Sequence, residues 1–285
     1  MQEAVSVYIP THNRPDFLDR ALNSLCEQNY KNLQVLVCDD GSQKSYYQVI
    51  EKYKNKFTDF ICVKNEEPKG ACFSRNRLIE MADGKYITGL DDDDEFLPSR
   101  IDIFVNATEK SKYAFLCAGH VTKTKKGKFK QPMKAGVITL DDMLNRNYVG
   151  NQIFTETSLI RELGGFDVSL PSWQDYDAWL RMCKEYGSGF KLEAYTYQLN
   201  IDHEEGRISD SPKAKQGYEM FIKKHGYLMN EANLASLFFQ DKVNRKQDIT
   251  ISELLSHFNG DTFKMYCKNK INTTFPFIKQ IIYRP

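Results

Sequence analysis

The sequence predicts an α/β protein with a mostly parallel central sheet flanked by helices. One observation behind this prediction is the alternation of short apolar runs with amphipathic segments, in the order βαβαβ, over the first hundred residues. Another is that polar clusters directly follow three of the apolar runs; they read "PTHNR", "DDGS" and "DDDD". Because the carboxyl ends of parallel strands lie at one edge of a sheet, we expect these clusters to line one crevice.

The predicted elements of the first half follow this alternation in order. Aliphatic, aromatic and β-branched residues are concentrated in four expected strands, at residues 4–9, 33–38, 60–64 and 86–90. Helices are expected between these strands, at residues 15–28, 46–57 and 72–84. The first helix begins with Pro15, which is favoured at the first helical position, and it repeats apolar residues from Phe17 to Leu25 at helical spacing.

The pattern changes after residue 113. The run "YAFLCAGHV" predicts a strand, and "TKTKKGKFK" predicts a basic hairpin with Gly127 near its tip. A helix is expected in "SLIRELGGFD", ended by Gly164 and Gly165, and another at 174–187 with Trp179 on its apolar face. From about residue 210 onward the sequence reads as mainly helical.

Composition and charge exclude several classes of protein. Hydrophobic residues make up 41% and charged residues 27% of the chain, which excludes disordered and fibrous classes. The 39 Lys and Arg residues balance the 38 Asp and Glu residues, so no nucleic-acid partner is expected. The seven cysteines have no C-x-x-C spacing, and neither a signal peptide nor a bilayer-spanning run is recognisable, so we expect a cytoplasmic protein with buried thiols.

The run from Asp91 to Asp94 needs an explanation, because adjacent like charges repel unless they face water or meet positive charge. A solvated acidic loop is one explanation. An EF-hand calcium loop does not fit, because Phe96 stands where the sharp turn requires glycine. A cation that bridges the protein to substrate phosphates needs only one or two carboxylates and fits a nucleotide-dependent enzyme. Neither a P-loop nor a G-x-G-x-x-G turn is present.

Four ordered segments resemble the successive signatures of family 2 glycosyltransferases, over roughly residues 4–205. They read "VSVYIPTHNR", "VLVCDDGS", "KGACFSRNRLIEMADGKYITGLDDDDEFLP" and "GGFDVSLPSWQDYDAWLRM". The resemblance implies a GT-A, Rossmann-like fold at residues 1–209, with a nucleotide-sugar half at 1–112, an acceptor half at 113–209 and a helical extension at 210–285. It also implies an inverting, metal-dependent sugar transfer from a nucleotide sugar, with a UDP-sugar as the first expectation.

The resemblance assigns the donor nucleotide to residues at the predicted strand ends. Carboxylates suit this role because they accept hydrogen bonds from an imide N–H and from ribose hydroxyls. The expected donor-binding residues are Pro10, Thr11, Asn13, Arg14, Asp39, Asp40, Arg75, Asp91 and Asp92. Two alternatives stay open: the loop from Asp40 to Ser42 could be a plain turn, and Arg75 a surface residue.

The same resemblance aligns Asp91 and Asp93 with the two ends of the D-x-D motif that holds Mn²⁺ or Mg²⁺, with Asp93 as the direct ligand. His203 resembles a histidine that some members place near the metal, and a solvated histidine is the alternative. Asp94 and Glu95 are expected to face solvent or to brace the loop.

Asp175 is the catalytic base that the resemblance implies, deprotonating an acceptor hydroxyl as it attacks the anomeric carbon. An aspartate that only caps a helix is the alternative. Gln174 replaces the glutamate usual in the family, and with Trp173 it is expected to contact the acceptor. Two other functions stay open: a catalytically inactive GT-A domain that binds sugar nucleotides or acts as a scaffold, and a nucleotidyltransferase, which the missing glycine-rich turn disfavours.

Two basic segments concern the acceptor, which is expected to be a glycan or a lipid-linked molecule of bacterial surface polysaccharide synthesis. No acidic residue lies at 110–140, where six lysines surround the predicted hairpin. Residues 262–285 mix lysines with Phe, Ile and Tyr, which suits an anionic membrane surface or a lipid-linked diphosphate. Peripheral contact with the inner face of the membrane through 262–285 is therefore expected. An ordinary surface is the alternative for both segments, and residues 262–285 could instead pack on the domain itself or on a second subunit of a homo-oligomer.

Overall fold

The computed structural model describes residues 2–201 and 213–273, in which the chain forms two compact units. The first unit comprises residues 1–140, 149–168 and 178–203; the second comprises 141–148, 169–177 and 204–285. The second unit thus includes two short segments that precede residue 209. The predicted domain boundary at that residue stays a prediction.

The first unit contains one ten-stranded sheet. Its strands are β1 (Val5–Thr11), β2 (Leu33–Asp39), β3 (Asp59–Lys64), β4 (Tyr86–Gly89), β5 (Glu95–Phe96), β6 (Leu116–Thr124), β7 (Gly127–Lys130), β8 (Gly136–Ile138), β9 (Phe154–Glu156) and β10 (Gly189–Asn200). The order is β3-β2-β1-β4-β9-β6-β10-β5, with β7 paired to β6 and β8 paired to β10. The four predicted strands of the first half and the basic hairpin are all confirmed.

The helices of the described residues belong to both units. They are α1 (Pro15–Cys26), α2 (Tyr47–Tyr53), α3 (Ala71–Glu80), α4 (Arg100–Asn106), α5 (Leu140–Asn145), α6 (Thr157–Glu162), α7 (Gln174–Tyr186), α8 (Lys213–His225), α9 (Glu231–Asn244), α10 (Ile251–Ser256) and α11 (Gly260–Thr273). The α/β class and the helical C-terminal region are therefore as predicted.

The direction of the strands defines the edge of the sheet that concerns function. β3, β2, β1 and β4 pair in parallel, as do β6 and β10. The other described pairings are antiparallel, so the sheet is mixed beyond β4. Because β9 runs antiparallel to both β4 and β6, those two strands point the same way. The ends of β1, β2, β4 and β6 thus share one edge, which we call the carboxyl edge.

Local sequence explains the elements that support this edge. Every residue of β1 and β2 is buried, as expected for strands covered on both faces. α1 begins at Pro15 and buries Leu18, Leu22 and Leu25, one apolar stripe at helical spacing. These side chains join the core cluster beneath the sheet, so the position of each strand end is set by a packed interior.

The second unit is helical over its described C-terminal part. A small core of Phe239, Ile249 and Leu254 joins α9 and α10, with Met265 and Tyr266 of α11 packed against it. Asn230 and Thr250 begin α9 and α10 with reciprocal capping boxes. The first part of the predicted membrane segment 262–285 thus contributes to a core of its own unit, and residues 274–285 lie outside the described residues.

Two further observations bear on the sequence predictions. Across residues 2–201 and 213–273, no helix has both the length and the apolar character that crossing a bilayer requires. All seven cysteines lie within these ranges, and each is a free thiol.

Candidate active site

The first and third predicted polar clusters meet at the carboxyl edge. The Thr11 hydroxyl donates to Asp92 Oδ2 at 2.6 Å. The Arg14 guanidinium donates to Asp92 Oδ1 at 2.5 Å and to Asp93 Oδ2 at 3.3 Å. Arg14 therefore supplies positive charge to two of the four consecutive carboxylates. A loop whose aspartates are all solvated is excluded.

The second cluster joins the first through backbone and side-chain hydrogen bonds. Asn13, in the left-handed region with φ of 56°, donates its backbone N–H to Ser42 Oγ at 2.7 Å. Its side-chain Oδ1 accepts from the backbone N–H of Gln43 at 2.8 Å. Gly41 has φ of 65°, and a Cβ there would lie 2.5 Å from the backbone of Glu67 and Pro68. Only glycine allows this close approach of the two loops.

Asp40 is buried within this second cluster and holds the loop that precedes α3. Its carboxylate accepts from the Asn65 side chain at 2.7 Å and from the backbone N–H groups of Lys69 and Gly70 at 2.9 and 2.8 Å. Burial raises the pKa of Asp40, but these hydrogen bonds outweigh it and lower the pKa below its ordinary value of 3.8. Asp39 also accepts from Ser42 N–H at 2.9 Å.

The lowered pKa of Asp40 predicts a pH-dependent contribution to stability. A carboxyl with a lower pKa in the folded chain stabilises the fold above its unfolded pKa, and this stabilisation is lost as pH falls from about 3.8 through the folded value. We expect Asp40→Asn to lower the free energy of unfolding in urea at pH 7 and to differ less from the wild type near pH 3.5. The exposed Glu66, changed to Gln, serves as control. A difference independent of pH would contradict the assignment.

Arg75 and Asp91 form a second ion pair beside the first. Arg75 is buried in α3 and donates to Asp91 Oδ1 at 2.8 Å, with its guanidinium 5.0 Å from the Phe166 ring centre. The same Asp91 oxygen accepts from Gln152 Nε2 at 3.1 Å, and Gln152 accepts from the Tyr8 hydroxyl at 3.0 Å. The predicted alternative of a surface Arg75 is therefore wrong.

The four aspartates alternate between accessible and buried side chains. Asp91 and Asp93 keep 20% and 25% of their side chains exposed, whereas Asp92 keeps only 1%. Asp94 is 1% exposed and accepts from the backbone N–H of Asn200 at 2.9 Å, so it braces the loop and does not face solvent. The alternation leaves Asp91 and Asp93, the predicted D-x-D pair, accessible.

Burial changes the acidity of the two inward aspartates. It raises the pKa of Asp92 to about 7, although the Arg14 charge and the Thr11 hydroxyl act in the opposite direction. Burial, followed by the charges of Asp93 and Asp91, also raises the pKa of Asp94 well above its ordinary value. Asp92 ties β1 to the loop through Thr11, and its predicted part in donor binding stays a prediction.

Several residues that hold this loop were not predicted from the sequence. Arg20 donates to the Asp93 carbonyl at 2.6 Å, and Asn200 Nδ2 donates to the same oxygen at 2.8 Å. Arg100 is 2% exposed between the rings of Phe96, Phe104 and Tyr197, and burial lowers its pKa to about 10. No sequence motif marks these three residues. Arg20 and Arg100 belong to helices of the core, and Asn200 is far in sequence from the aspartate loop of residues 91–94.

The predicted acceptor and base residues lie in the second unit, at the start of α7. Gln174 Nε2 donates to the Leu170 carbonyl at 2.8 Å. An ionised glutamate at this position could not donate this hydrogen bond, so the bond explains why a glutamine is favourable here. Asp175 is partly buried in the first turn of α7. His203, the predicted metal ligand, lies outside the described residues.

Trp173 has an unusual backbone and a packed ring. Its φ of 62° places a bulky residue in the left-handed region, a conformation that persists only when the surroundings hold it. The ring lies 5.5 Å from Tyr176, 5.4 Å from Tyr218 and 5.2 Å from Phe221, measured between ring centres. Much of the predicted acceptor-stacking surface is thus engaged with α7 and α8, and the acceptor role stays a prediction.

Asp177, one turn into α7, is fully buried and anchors the end of α8. Its Oδ1 lies 2.7 Å from Lys224 Nζ and 2.8 Å from His225 Nε2. The Phe221 ring packs between Tyr176 at 4.7 Å and His225 at 4.9 Å. The residues of α8 that face the start of α7 therefore follow one helical stripe and fix the segment that carries Asp175.

Gly217 lets α8 approach this segment closely. A Cβ at Gly217 would lie 1.9 Å from Ser172 Oγ and 2.8 Å from its carbonyl oxygen. We expect Gly217→Ala to force the two segments apart and to destabilise the unit by about 1–3 kcal/mol in urea unfolding. Gly226→Ala is the matched control, because its nearest atom would be Ile222 Cγ2 at 3.6 Å. Equal stability of the two variants would contradict this packing.

Comparisons with known proteins agree with the fold and show the family of the chain. The structure resembles the crystal structure of S. aureus TarS 1–349 in complex with UDP-GlcNAc, with a TM-score of 0.70 and 18% identity over 95% of this chain and 80% of that chain. This likeness shows the fold, which is of the GT-A class. The chain belongs to the glycosyl transferase family 2, which it matches over residues 6–163.

Two curated relatives come from Escherichia coli. The putative colanic acid biosynthesis glycosyl transferase WcaA of strain K12 is 35% identical over 273 residues, which cover 90% of this chain and 94% of the relative. The UDP-Glc:alpha-D-GlcNAc-diphosphoundecaprenol beta-1,3-glucosyltransferase WfaP is 28% identical over 184 residues, which cover 63% of this chain and 70% of the relative.

Proposed function

We propose that the protein is an inverting, divalent-metal-dependent glycosyltransferase of surface polysaccharide synthesis. The donor is a nucleotide sugar, first of all a UDP-sugar, and the acceptor is a hydroxyl of a glycan or lipid-linked molecule. The observation that carries the proposal is the pairing of Arg14 and Arg75 with three consecutive carboxylates at the carboxyl edge. Relatives named for colanic acid and diphosphoundecaprenol chemistry support the acceptor class.

The donor pocket follows from the charges at that edge. Arg14 and Arg75 present guanidinium groups suited to a diphosphate. Asp39 is buried at the end of β2 and offers carboxylate oxygens to nucleobase or ribose donors, beside the loop that Asp40 fixes. Thr11 bonds to Asp92 in the aspartate loop, and Asn13 bonds to Ser42 in the loop after β2. In the proposed pocket these two residues hold the loops in place.

A divalent cation fits the accessible carboxylates. Within residues 2–201 and 213–273, no three His, Cys, Asp or Glu side chains form a ready metal cluster. Mg²⁺ at nucleotide sites usually needs only one or two carboxylates, because phosphates and waters complete its shell. Asp91 and Asp93 meet that need, since their side chains stay partly exposed. The bound ion would offset negative charge on the leaving nucleoside diphosphate.

Asp175 serves as the base in this proposal. Its carboxylate would accept the proton of the acceptor hydroxyl as the new glycosidic bond forms and the bond to the diphosphate breaks, with inversion at the anomeric carbon. The buried Asp177 and the ring stack around Phe221 hold the segment that carries it.

The place of action is the cytoplasmic side of a membrane. Seven free thiols suit a reducing compartment. In the C-terminal unit, large apolar side chains stay exposed on α10, α11 and the loop between them; they are Ile251, Leu255, Phe258 and Phe263. An exposed apolar patch of this kind suits the proposed peripheral contact of the C-terminal region with lipid.

A thermal-shift screen tests the donor site. UDP, GDP, dTDP and CMP, with their sugar conjugates, are each added with and without Mn²⁺ or Mg²⁺, since a ligand that binds the folded chain raises its melting temperature. We expect one nucleotide class to stabilise the protein with metal. The absence of stabilisation by any nucleotide under any metal would overturn the donor site.

Activity assays run beside this screen separate the alternative functions. Stabilisation by a sugar nucleotide without transfer to any glycan or lipid-linked acceptor would favour an inactive binding module. Release of diphosphate from a nucleoside triphosphate and a sugar phosphate would instead favour a nucleotidyltransferase.

A further inference from the structure

The hairpin of β6 and β7 forms a basic surface that the donor site does not use. We call residues 123–134 the lysine hairpin; its lysines are Lys123, Lys125, Lys126, Lys128, Lys130 and Lys134. Four of these side chains, on Lys125, Lys126, Lys128 and Lys130, are exposed at the turn and on β7. The chain as a whole carries a net charge of only +1, so this concentration is local.

The lysine hairpin stands at the carboxyl edge, beside the aspartate loop. β6 points the same way as β4, because β9 is antiparallel to both. Lys123 pairs with Asn200 across the ladder of β6 and β10. Asn200 in turn donates to the Asp93 carbonyl and to Asp94. The hairpin therefore begins one strand away from the loop that would hold the donor phosphates.

The ladder places lysines of the two strands side by side. Lys123 lies directly opposite Lys128 in the antiparallel pairing of β6 and β7. Lys130 lies over the Tyr195 ring at 5.1 Å, which orders its apolar stem against β10. An anionic surface would attract the exposed lysines of the turn and β7 together. Lysines on an edge strand can also serve to prevent pairing with another chain. That alternative explanation predicts no binding to lipid.

We propose that the lysine hairpin docks on an anionic lipid bilayer and turns the carboxyl edge of the sheet toward the membrane. The bilayer is favoured over a single diphosphate group because the lysines extend along β7 and the turn and do not converge on one point. The purpose of the docking, access to a lipid-linked acceptor, rests on the proposed function. The docking itself does not.

Vesicle co-sedimentation tests the proposal with three proteins. The wild type is compared with Lys126→Gln/Lys128→Gln/Lys130→Gln and with the control Lys31→Gln/Lys54→Gln/Lys56→Gln. The control removes the same charge from exposed lysines that precede β2 and β3, at the opposite edge of the sheet. The vesicles contain phosphatidylcholine alone, phosphatidylcholine with phosphatidylglycerol, or phosphatidylcholine with a trace of polyprenyl diphosphate.

We expect the wild type and the control to bind the phosphatidylglycerol vesicles, and the hairpin variant to bind them about tenfold or more weakly. Binding should also fall as salt is added, because the attraction is screened. Equal binding by the hairpin variant and the wild type would overturn the proposal. So would wild-type binding to phosphatidylcholine alone that is as strong as binding to the phosphatidylglycerol vesicles, or binding that needs the polyprenyl diphosphate.

The thermal shift with nucleotide and metal separates this proposal from the donor site. A hairpin variant that is stabilised by nucleotide as the wild type is, yet has lost vesicle binding, supports docking by a folded protein. If the wild type binds vesicles but no nucleotide, the proposed function fails and the docking stands. If the hairpin variant loses its cooperative melting transition, single Lys→Gln variants that melt normally decide the question. Weakened vesicle binding by these single variants supports the docking, and unchanged binding overturns it.

Discussion

Replacing Asp175 by Asn is expected to lower the rate of sugar transfer by about 10²–10⁴-fold while leaving nucleotide-sugar binding intact. The amide has nearly the size of the carboxylate but cannot accept the proton of the acceptor hydroxyl. The donor residues lie on other segments, in the first unit, so the thermal shift with nucleotide and metal should match that of the wild type. The rate of transfer is measured as the nucleoside diphosphate released in the presence of acceptor.

Asp141→Asn is the matched control for this experiment. Asp141 lies in the first turn of α5 in the same unit, as Asp175 lies in the first turn of α7. Loss of a favourable charge at a helix start amounts to about 0.3–1 kcal/mol, so this control should retain transfer and most stability. If both variants kept wild-type activity, Asp175 would be a helix-terminus charge and the base would have to be sought elsewhere.

Replacing Asp93 by Ala is expected to remove the metal-dependent part of nucleotide binding and to lower transfer by about 10²-fold or more. Asp93 is one of two accessible carboxylates in the run, and Arg14 already approaches its Oδ2 at 3.3 Å. The variant should therefore keep some nucleotide affinity through the arginines, but Mn²⁺ should no longer raise it. The measurement is the melting temperature with nucleotide, across a titration of Mn²⁺.

Asp102→Ala provides the comparison, because Asp102 is a partly buried aspartate of α4 whose contact is with Asn106. It should respond to nucleotide and Mn²⁺ as the wild type does. An unchanged metal response in Asp93→Ala would show that the ion, if any, is held elsewhere. Asp91 and Asp93 would then serve only as ion-pair partners of Arg75 and Arg14.

The chain order and the motifs were readable from the sequence because they are local properties. Apolar runs of strand length and the stripe on α1 follow from side-chain periodicity, which needs no partner to be seen. The polar clusters after β1, β2 and β4 could be assigned to one edge because parallel strands of one sheet point the same way. The confirmed family resemblance rests on the same local segments.

The mixed second half of the sheet was not predicted. β9 has only three residues and β5 only two, and so short a strand gives no period that a sequence window can detect. The antiparallel pairing of β5 and β9 depends on the path of the chain back to the sheet, and that path is set by packing in the core.

What only the tertiary structure decided is which aspartates are buried and what holds them. Asp92 meets Thr11 across 81 residues of sequence, and Asp94 meets Asn200 across 106. Gln152 reaches Asp91 from 61 residues away, and no motif marks it. The sequence alone determined that carboxylates gather at the carboxyl edge; their division into accessible and buried pairs required the packed chain, because burial is a property of distant partners and not of neighbours.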